Sequence, residues 1–566
     1  MNWWLLLGSA LACVSWPWPA IAEENRQADP LACNVVSFGA TGDGRTNDTA
    51  AVQKTIDTTA QRGGGTVYFP AGTYLCGSIH LRSRITLYLH NGATLKGSPD
   101  NADYDPYEKL DFKNDADRET TYFHYALIWG EDVERVTIDG PGTIDSNRRK
   151  RGGPKSIALK RCRHVTIKDI TIRNTPNYSI SMLGTDNVVI DGVTILNGYC
   201  DGIDPDACRN VSISNCHIES HDDAIVPKAS FSLGKRRSTE NITVTNCRLA
   251  TSCNAFKLGT ESGGDFKRIA VSNCVMFRLP GKRPAISGIA IESVDGANID
   301  GVVVSNVTMV DVRAPIFIRL GNRGRDMETP TPGTLKNVLI DNVAAANASL
   351  TASITGIPGH PVEGVTLSNI RITYRGGDPD AKFCTRVPEK ASAYPDAEMF
   401  GCLPAYGLYC RHIDAIKLSN VQLLYDRNKR WQVKKENGKS ERWTGDVPVA
   451  SSQPTERPER LAPALVCDDV SQLEIESLTA HPMAAPSSDG ATKPHTPPLL
   501  QFVNVRNALL RGCLVPQPVT AFLHLCGPDT KGVTLIGNDL LQAHKAIRLD
   551  EAVNQNEIAS IANRTR

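Results

Sequence analysis

The feature that most constrains this chain is a short strand–Asx–strand unit that keeps returning from about residue 125 onward. It appears as VTIDG, VTIKDITI, VVIDGVTI, VSISNCHI, ITVTNCRL, IAVSNCVM, VVVSNVTM, VLIDNVAA, VTLSNIRI and IKLSNVQL. The Asx positions Asp169, Asp191, Asn215, Asn246, Asn273, Asn306, Asn342 and Asn369 are separated by 22, 24, 31, 27, 33, 36 and 27 residues. A period drifting between about 20 and 40 residues marks a solenoid, because no single unit can bury its apolar face alone. An Asn at each tight bend can stack on the one below and satisfy backbone groups there. A β-sandwich would instead favour hairpin signals such as Asn-Gly, which are scarce. The fold expected is all-β, a right-handed single-stranded parallel β-helix.

A different module precedes the repeats, at about residues 34–100. Asp48 or Thr49 can cap a helix running to about Ala60, and Gly63-Gly64-Gly65 stops it. Thr66 to Phe69 then reads as a strand, turned by Pro70-Ala71-Gly72. Two stretches, 376–410 and 430–460, are rich in Pro, Lys, Glu and Arg and interrupt the period. They are expected as loops beside the solenoid. A third irregular stretch begins near 481, before strands resume in LLQFVNV and GVTLIGN. Residues 23–566 are therefore expected to be one β-helical unit.

Residues 1–22 read as a signal peptide, with an apolar run from Trp3 to Val14 and a small-residue site at Ala20-Ile21-Ala22. The n-region carries no Lys or Arg; a short anchor or a lipoprotein signal at Cys13 are the alternatives. Export to the periplasm or medium is expected, with no later membrane span. Of sixteen cysteines, one lies in this leader, so an odd fifteen remain, with no CxxC…CxxC pattern for structural zinc. The formal charge is +1, which gives no basic field for nucleic acid. A monomer is expected.

Five successive units align on their apolar residues: Ile203/Pro205, Ile225/Pro227, Phe256/Leu258, Ile289/Ile291 and Ile316/Ile318. Strand alternation turns these inward and the residues between them outward. One outward column then reads Asp201, Asp223, Asn254, Ser287, Ala314. The next reads Asp204, Val226, Lys257, Ala290, Phe317, and a third Asp206, Lys228, Gly259, Glu292, Arg319. Rungs lie about 4.8 Å apart, so Asp201 and Asp223 should be neighbours on one exposed face, with Asp222 beside them. Crowded carboxylates repel, and at least one pKa should rise. Glycoside hydrolysis needs that division, one protonated carboxyl and one ionised. An acidic metal site or solvated turns would use the same residues.

The module FGATGDGRTNDTAAVQKTI…GGGTVYFPAGTY…GATLKGS, with CDGID and then HDDAI 21 residues on, resembles glycoside hydrolase family 28 over roughly residues 34–320. That family contains polygalacturonases and rhamnogalacturonan hydrolases. The resemblance implies an inverting, metal-independent hydrolase that needs no cofactor, with Asp222 as general acid and Asp201 and Asp223 holding the water. Inversion implies carboxyls about 6.5–9.5 Å apart.

Two departures bear on substrate. Polygalacturonases carry Gly-His-Gly on the following rung, where this chain has Cys253-Asn254-Ala255. They carry Arg-Ile-Lys on the next, where this chain has Ala290-Ile291-Glu292. Missing cations and an added acid point to a rhamnogalacturonan-type or variant chain rather than plain polygalacturonate. The candidate substrate-binding residues are Asn254, Lys257, Glu261, Glu292, Lys228 and Arg319. Arg323, Arg325, Arg411-His412 and His221 are further candidates. The lysines could equally be ladder partners of Asp204, Asp206 or Glu292. The competing readings are a Ca²⁺-dependent pectate-type lyase, with Lys257 as base, and a non-catalytic carbohydrate-binding β-helix.

Overall fold

The computed structural model describes residues 32–376, 386–430, 434–436, 439–441, 461–483 and 496–566. The signal peptide expected at 1–22, most of 430–460 and residues 377–385 of the expected 376–410 loop lie outside these residues. Within them the chain winds as a parallel β-helix with three strand faces.

The inward columns build the core. On the face that carries the acids, Ile157, Ile180, Ile203, Ile225, Phe256, Ile289 and Ile316 pair in register, each fully buried. A second face stacks Val165, Val188, Val211, Ile242, Ile269, Val302, Val338 and Val365. A third stacks Ile144, Ile172, Ile195, Ile218, Leu249, Met276 and Met309. Each buried aliphatic stabilises by about 1.5–3 kcal/mol. The five-unit alignment read from the sequence is the register observed.

The N-terminal end is closed by the helix Thr49–Gln61, which packs Val52 and Ile56 on the first coil. Asp48 is its N-cap residue but makes no side-chain cap bond. Its carboxylate accepts instead from the amides of Thr41 (2.7 Å) and Gly42 (3.1 Å), which fixes the preceding turn.

The Asx bends are left-handed backbone positions, at Asp169, Asn215, Asn246, Asn273, Asn306, Asn342 and Asn369. Asp191 is one residue out of step. Gly192 takes the left-handed position (φ 65°), and Asp191 accepts from the Asn215 amide at 2.7 Å. Glycine adopts this conformation without the Cβ clash that would penalise Asp. The asparagines donate along the axis, Asn246 to Asn215 (3.2 Å), Asn306 to Asn273 (3.2 Å) and Asn342 to Asn306 (2.7 Å). A second ladder, not read from the sequence, joins Asn241, Asn210 and Asn187 at 2.7 and 2.9 Å. Cys216, Cys247 and Cys274, which follow the asparagines, are core residues, and every described cysteine is a free thiol.

Residues 386–405 fold back over the acid-bearing face. Val387, Ala397, Met399, Phe400 and Leu403 pack on Ala290, Phe317 and Tyr409 of the outward columns. No helix among the described residues is long and apolar enough to cross a membrane.

Candidate active site

The acids sit where the strand ladder is weakest. The strand Ile203–Asp206 meets residues 223–228 only through bridges at Ile203–Ile225 and Asp206–Lys228. Pro205 and Pro227 have no amide hydrogen, but their carbonyls accept from Lys228 and Gly259 at 3.0 Å each. Every backbone group that can pair across these rungs therefore keeps the side chains in their columns.

The outward columns are not an exposed face, as the alternation alone implied. Asp201 and Asp223 are each 4% exposed, Lys228 and Lys257 3%, and Glu292 0%. Side chains pointing out of the coil meet covering segments rather than water. The Tyr178 ring lies 4.1 Å from the Lys228 ammonium, and Tyr394 of the folded-back segment places its hydroxyl 3.4 Å from Lys257.

Two buried lysines organise the carboxylates. Lys228 Nζ donates to Asp201 at 2.8 Å and also to Asp204. Lys257 Nζ donates to Asp223 at 3.1 Å and stands 3.9 Å from Glu292. Asp223 also accepts from Asn254, from its amide at 3.0 Å and its side chain at 2.7 Å. Asp206 is engaged by Ser230, whose amide donates at 2.8 Å; burial still pushes its carboxyl up to about 6.

These partners drive the acids apart. Burial pushes Asp201 well above the usual carboxylate range; Lys228 opposes this, and the carboxylates of Asp204, Asp222 and Asp223 add to it. Asp223 is equally buried, yet Lys257, Asn254 and Lys228 together outweigh burial and hold it below that range. Burial raises Glu292 to about 8 against the pull of Lys257. Asp201 and Asp223 are thus pushed in opposite directions from the ordinary carboxylate range.

Asp222 differs from both. Its side chain is 25% exposed and pairs with Arg151 at 2.5 Å, and Arg151 also reaches Glu119 at 3.3 Å. An oxygen of Asp222 lies within 4.8 Å of one on Asp201, and likewise of one on Asp223. These are nearest-oxygen separations, and the carboxyl groups themselves lie further apart. Arg151 comes from the basic run Arg148-Arg149-Lys150-Arg151 and was not picked out by reading the sequence.

The remaining candidates divide. Asn254 Oδ1, Ser287 Oγ and both Glu292 oxygens are buried without a hydrogen-bond partner among the described residues. They cluster beside Lys257, through the register pairs Asn254–Ser287 and Lys257–Ala290. Glu261 is held by Arg325 at 3.1 Å. Arg323 grips Asp295 through Nε at 2.9 Å and Nη2 at 2.6 Å. Arg319 is 1% exposed and donates to the carbonyls of Gly356 (2.9 Å) and Glu389 (2.7 Å), so it clamps the folded-back segment. Arg411 and His412 are likewise committed to Glu389, Asp468 and Asp469.

Among the described residues, three groups could hold a metal ion: Cys200/Asp201/Asp222, Asp222/Asp223/Cys253 and His524/Cys526/Asp550. Calcium takes 6–8 oxygen ligands. The Asp201 and Asp223 oxygens here are taken by lysine ammoniums, and each of the first two groups contains a thiol, a poor match to calcium.

Residues 108–393 match the family model described as glycosyl hydrolases family 28. A probable polygalacturonase from Vitis vinifera is 27% identical over 368 residues, 60% of this chain and 74% of that protein. An exo-poly-alpha-D-galacturonosidase from Dickeya chrysanthemi is 26% identical over 403 residues, 58% of this chain and 65% of that protein. Among solved structures, the family 28 exopolygalacturonase of Yersinia enterocolitica superposes with a TM-score of 0.55 at 19% identity. It covers 70% of this chain and 75% of that one.

Proposed function

The chain belongs to glycosyl hydrolases family 28, and from that premise we propose that it is an exported enzyme hydrolysing a pectic chain in which a neutral sugar lies beside Lys257. The hydrolytic step is assigned to Asp222, Asp223 and Asp201. Asp222 is the acid of the three with an open side, so it meets the leaving oxygen and delivers the proton. For that it must be protonated and released from Arg151. Asp223, held ionised by Lys257 and Asn254, draws the proton from the attacking water. Asp201, locked by Lys228, keeps that water in place.

The observation that carries the substrate reading is the set of unpartnered oxygens on Asn254, Ser287 and Glu292. Asn254 Oδ1 can only accept, while the Ser287 hydroxyl and the Glu292 carboxyl, raised to about 8, can donate or accept; left unpaired in a buried site, all are costly. Sugar hydroxyls fill both roles, whereas a uronate carboxylate adds negative charge beside Asp223 and Glu292. A rhamnose-like ring suits this subsite better than galacturonate. The committed carboxylates and the family premise speak against a calcium-dependent lyase, and the strained acid cluster against a purely binding solenoid.

The test is a comparison of homogalacturonan and rhamnogalacturonan oligosaccharides, read by product mass and by NMR of the new anomer. Hydrolysis of rhamnogalacturonan with inversion is expected, and Asp222→Asn should lower kcat by about 10²–10⁴-fold with unchanged folding. Preference for homogalacturonan removes the neutral subsite. A retained anomer would overturn inversion and reassign one Asp as nucleophile.

A further inference from the structure

A pocket opens beside the turn that carries Asp222, lined by Ser220, His221, Thr251, Ser252, Lys282 and Arg283 among others. Ser220 and Thr251 both donate their hydroxyls to the main-chain carbonyl of Asp222, the former at 2.7 Å. The pocket wall is thus the same backbone that carries the candidate acid.

Its charge is unbalanced. Lys282 and Arg283 are exposed, and neither forms an ion pair among the described residues. Glu219 is the acid that lines the pocket, and it is taken by His217 at 3.0 Å. His221 lies edge-on to Tyr199, 5.1 Å between centroids. Burial, and then the Lys282 charge, hold His221 below its usual range, so it is neutral and offers one donor.

The loop that carries the cations is tied down. Arg278 donates to the Lys282 carbonyl at 2.7 Å, and the Lys282 amide closes a turn onto Leu279 at 3.1 Å. The far end is tied to the solenoid by Ile286 to Cys253 at 2.6 Å and Arg313 to Ala285 at 2.9 Å. A solvated surface loop would not need bonds at both ends. Cations on a tied loop beside hydroxyls and a neutral imidazole suit a carboxylate, which a guanidinium can grip with two parallel bonds.

We infer that this pocket is a carboxylate subsite for a uronate ring next to the scissile bond. The inference rests on the hydrolase reading above and adds the other half of the substrate. Asn254 and Glu292 stand beside Lys257, whereas cationic Lys282 and Arg283 line the pocket beside His221 and the residues that bind the Asp222 carbonyl. A chain alternating neutral and acidic sugars satisfies both; a uniformly acidic chain satisfies one.

The test is the double variant Lys282→Ala/Arg283→Ala, assayed on rhamnogalacturonan oligosaccharides and on the same oligosaccharides with carboxyls reduced to alcohols. KM should rise at least tenfold on the charged substrate, with kcat within twofold and no change on the reduced one. The salt dependence of the wild-type KM should be lost. An unchanged KM, or equal rises on both substrates, overturns the subsite. Calorimetry on an Asp222→Asn background separates this from failure of the hydrolase reading. Tighter binding of the charged oligosaccharide, abolished by the double substitution, supports the pocket even if no turnover is found. Equal affinity for both, or no binding, overturns it.

Discussion

Lys228 and Lys257 occupy equivalent depths of the same face, yet their surroundings differ. Lys228 is closed in: two carboxylates accept from it and the Tyr178 ring covers its ammonium. Lys257 has one direct carboxylate, Asp223. Glu292 stays at 3.9 Å, and several acceptors around it lack donors. One arrangement is complete without substrate and holds Asp201 rigidly. The other is short of hydrogen-bond partners until a hydroxylated ligand arrives. The same rung geometry thus yields a support on one side of Asp222 and a receptor on the other.

The difference can be broken in stability experiments. Lys228→Met should cost the most, about 3–5 kcal/mol, because it strands buried Asp201 and Asp204 without a counter-charge. Chemical denaturation measures it, and wild-type stability in this variant would dissolve the closed cage. Lys257→Met should cost less, about 1–3 kcal/mol. Asp223 keeps both Asn254 bonds, and Glu292, already raised to about 8, needs no counter-charge near neutral pH. Equal losses in the two variants would erase the contrast.

The smallest effect sharpens it through pH. Glu292 titrates near 8 in the folded chain against an ordinary 4.5. The folded protein therefore keeps a proton there that the unfolded chain has released. Stability is full below about 4.5 and declines as pH rises towards 8, where the loss levels off. Glu292→Gln cannot release that proton, so its Tm should gain on wild type across this window and hold a constant offset outside it. Parallel Tm curves would mean that Glu292 is not the strained acid of the open side.

Much of this was legible in the sequence. The rung alignment on Ile203, Ile225, Phe256, Ile289 and Ile316 is the observed register, because a period of two along each strand leaves no freedom once the inward residues are known. That placed Asp201 and Asp223 in one column. The one-residue offset at Asp191 arose because an Asp-Gly pair offers two candidates for a left-handed bend, and glycine takes it. The covering of the outward face was not legible. Tyr394 and the segment around it are far along the chain from Lys257, and nothing in local pattern says where a long insertion folds back. Arg151 was missed for the same reason, lying 71 residues from Asp222. Arg319 had the right column and charge, but neighbouring carbonyls claimed its guanidinium.

The asparagine ladder has an evolutionary consequence. Consecutive steps are separated along the chain by 31 residues at Asn215–Asn246, 36 at Asn306–Asn342 and 51 at Asn369–Asn420. Each nevertheless closes with one amide bond between adjacent coils, so chain length is uncoupled from pitch. Insertions accumulate sideways, as the covering segment at 386–405 shows, while the axial lattice keeps its spacing. Such a scaffold can acquire or discard whole binding walls without renegotiating its core. New substrate preferences on it should therefore arise through changes in loop length before any change in the rungs themselves.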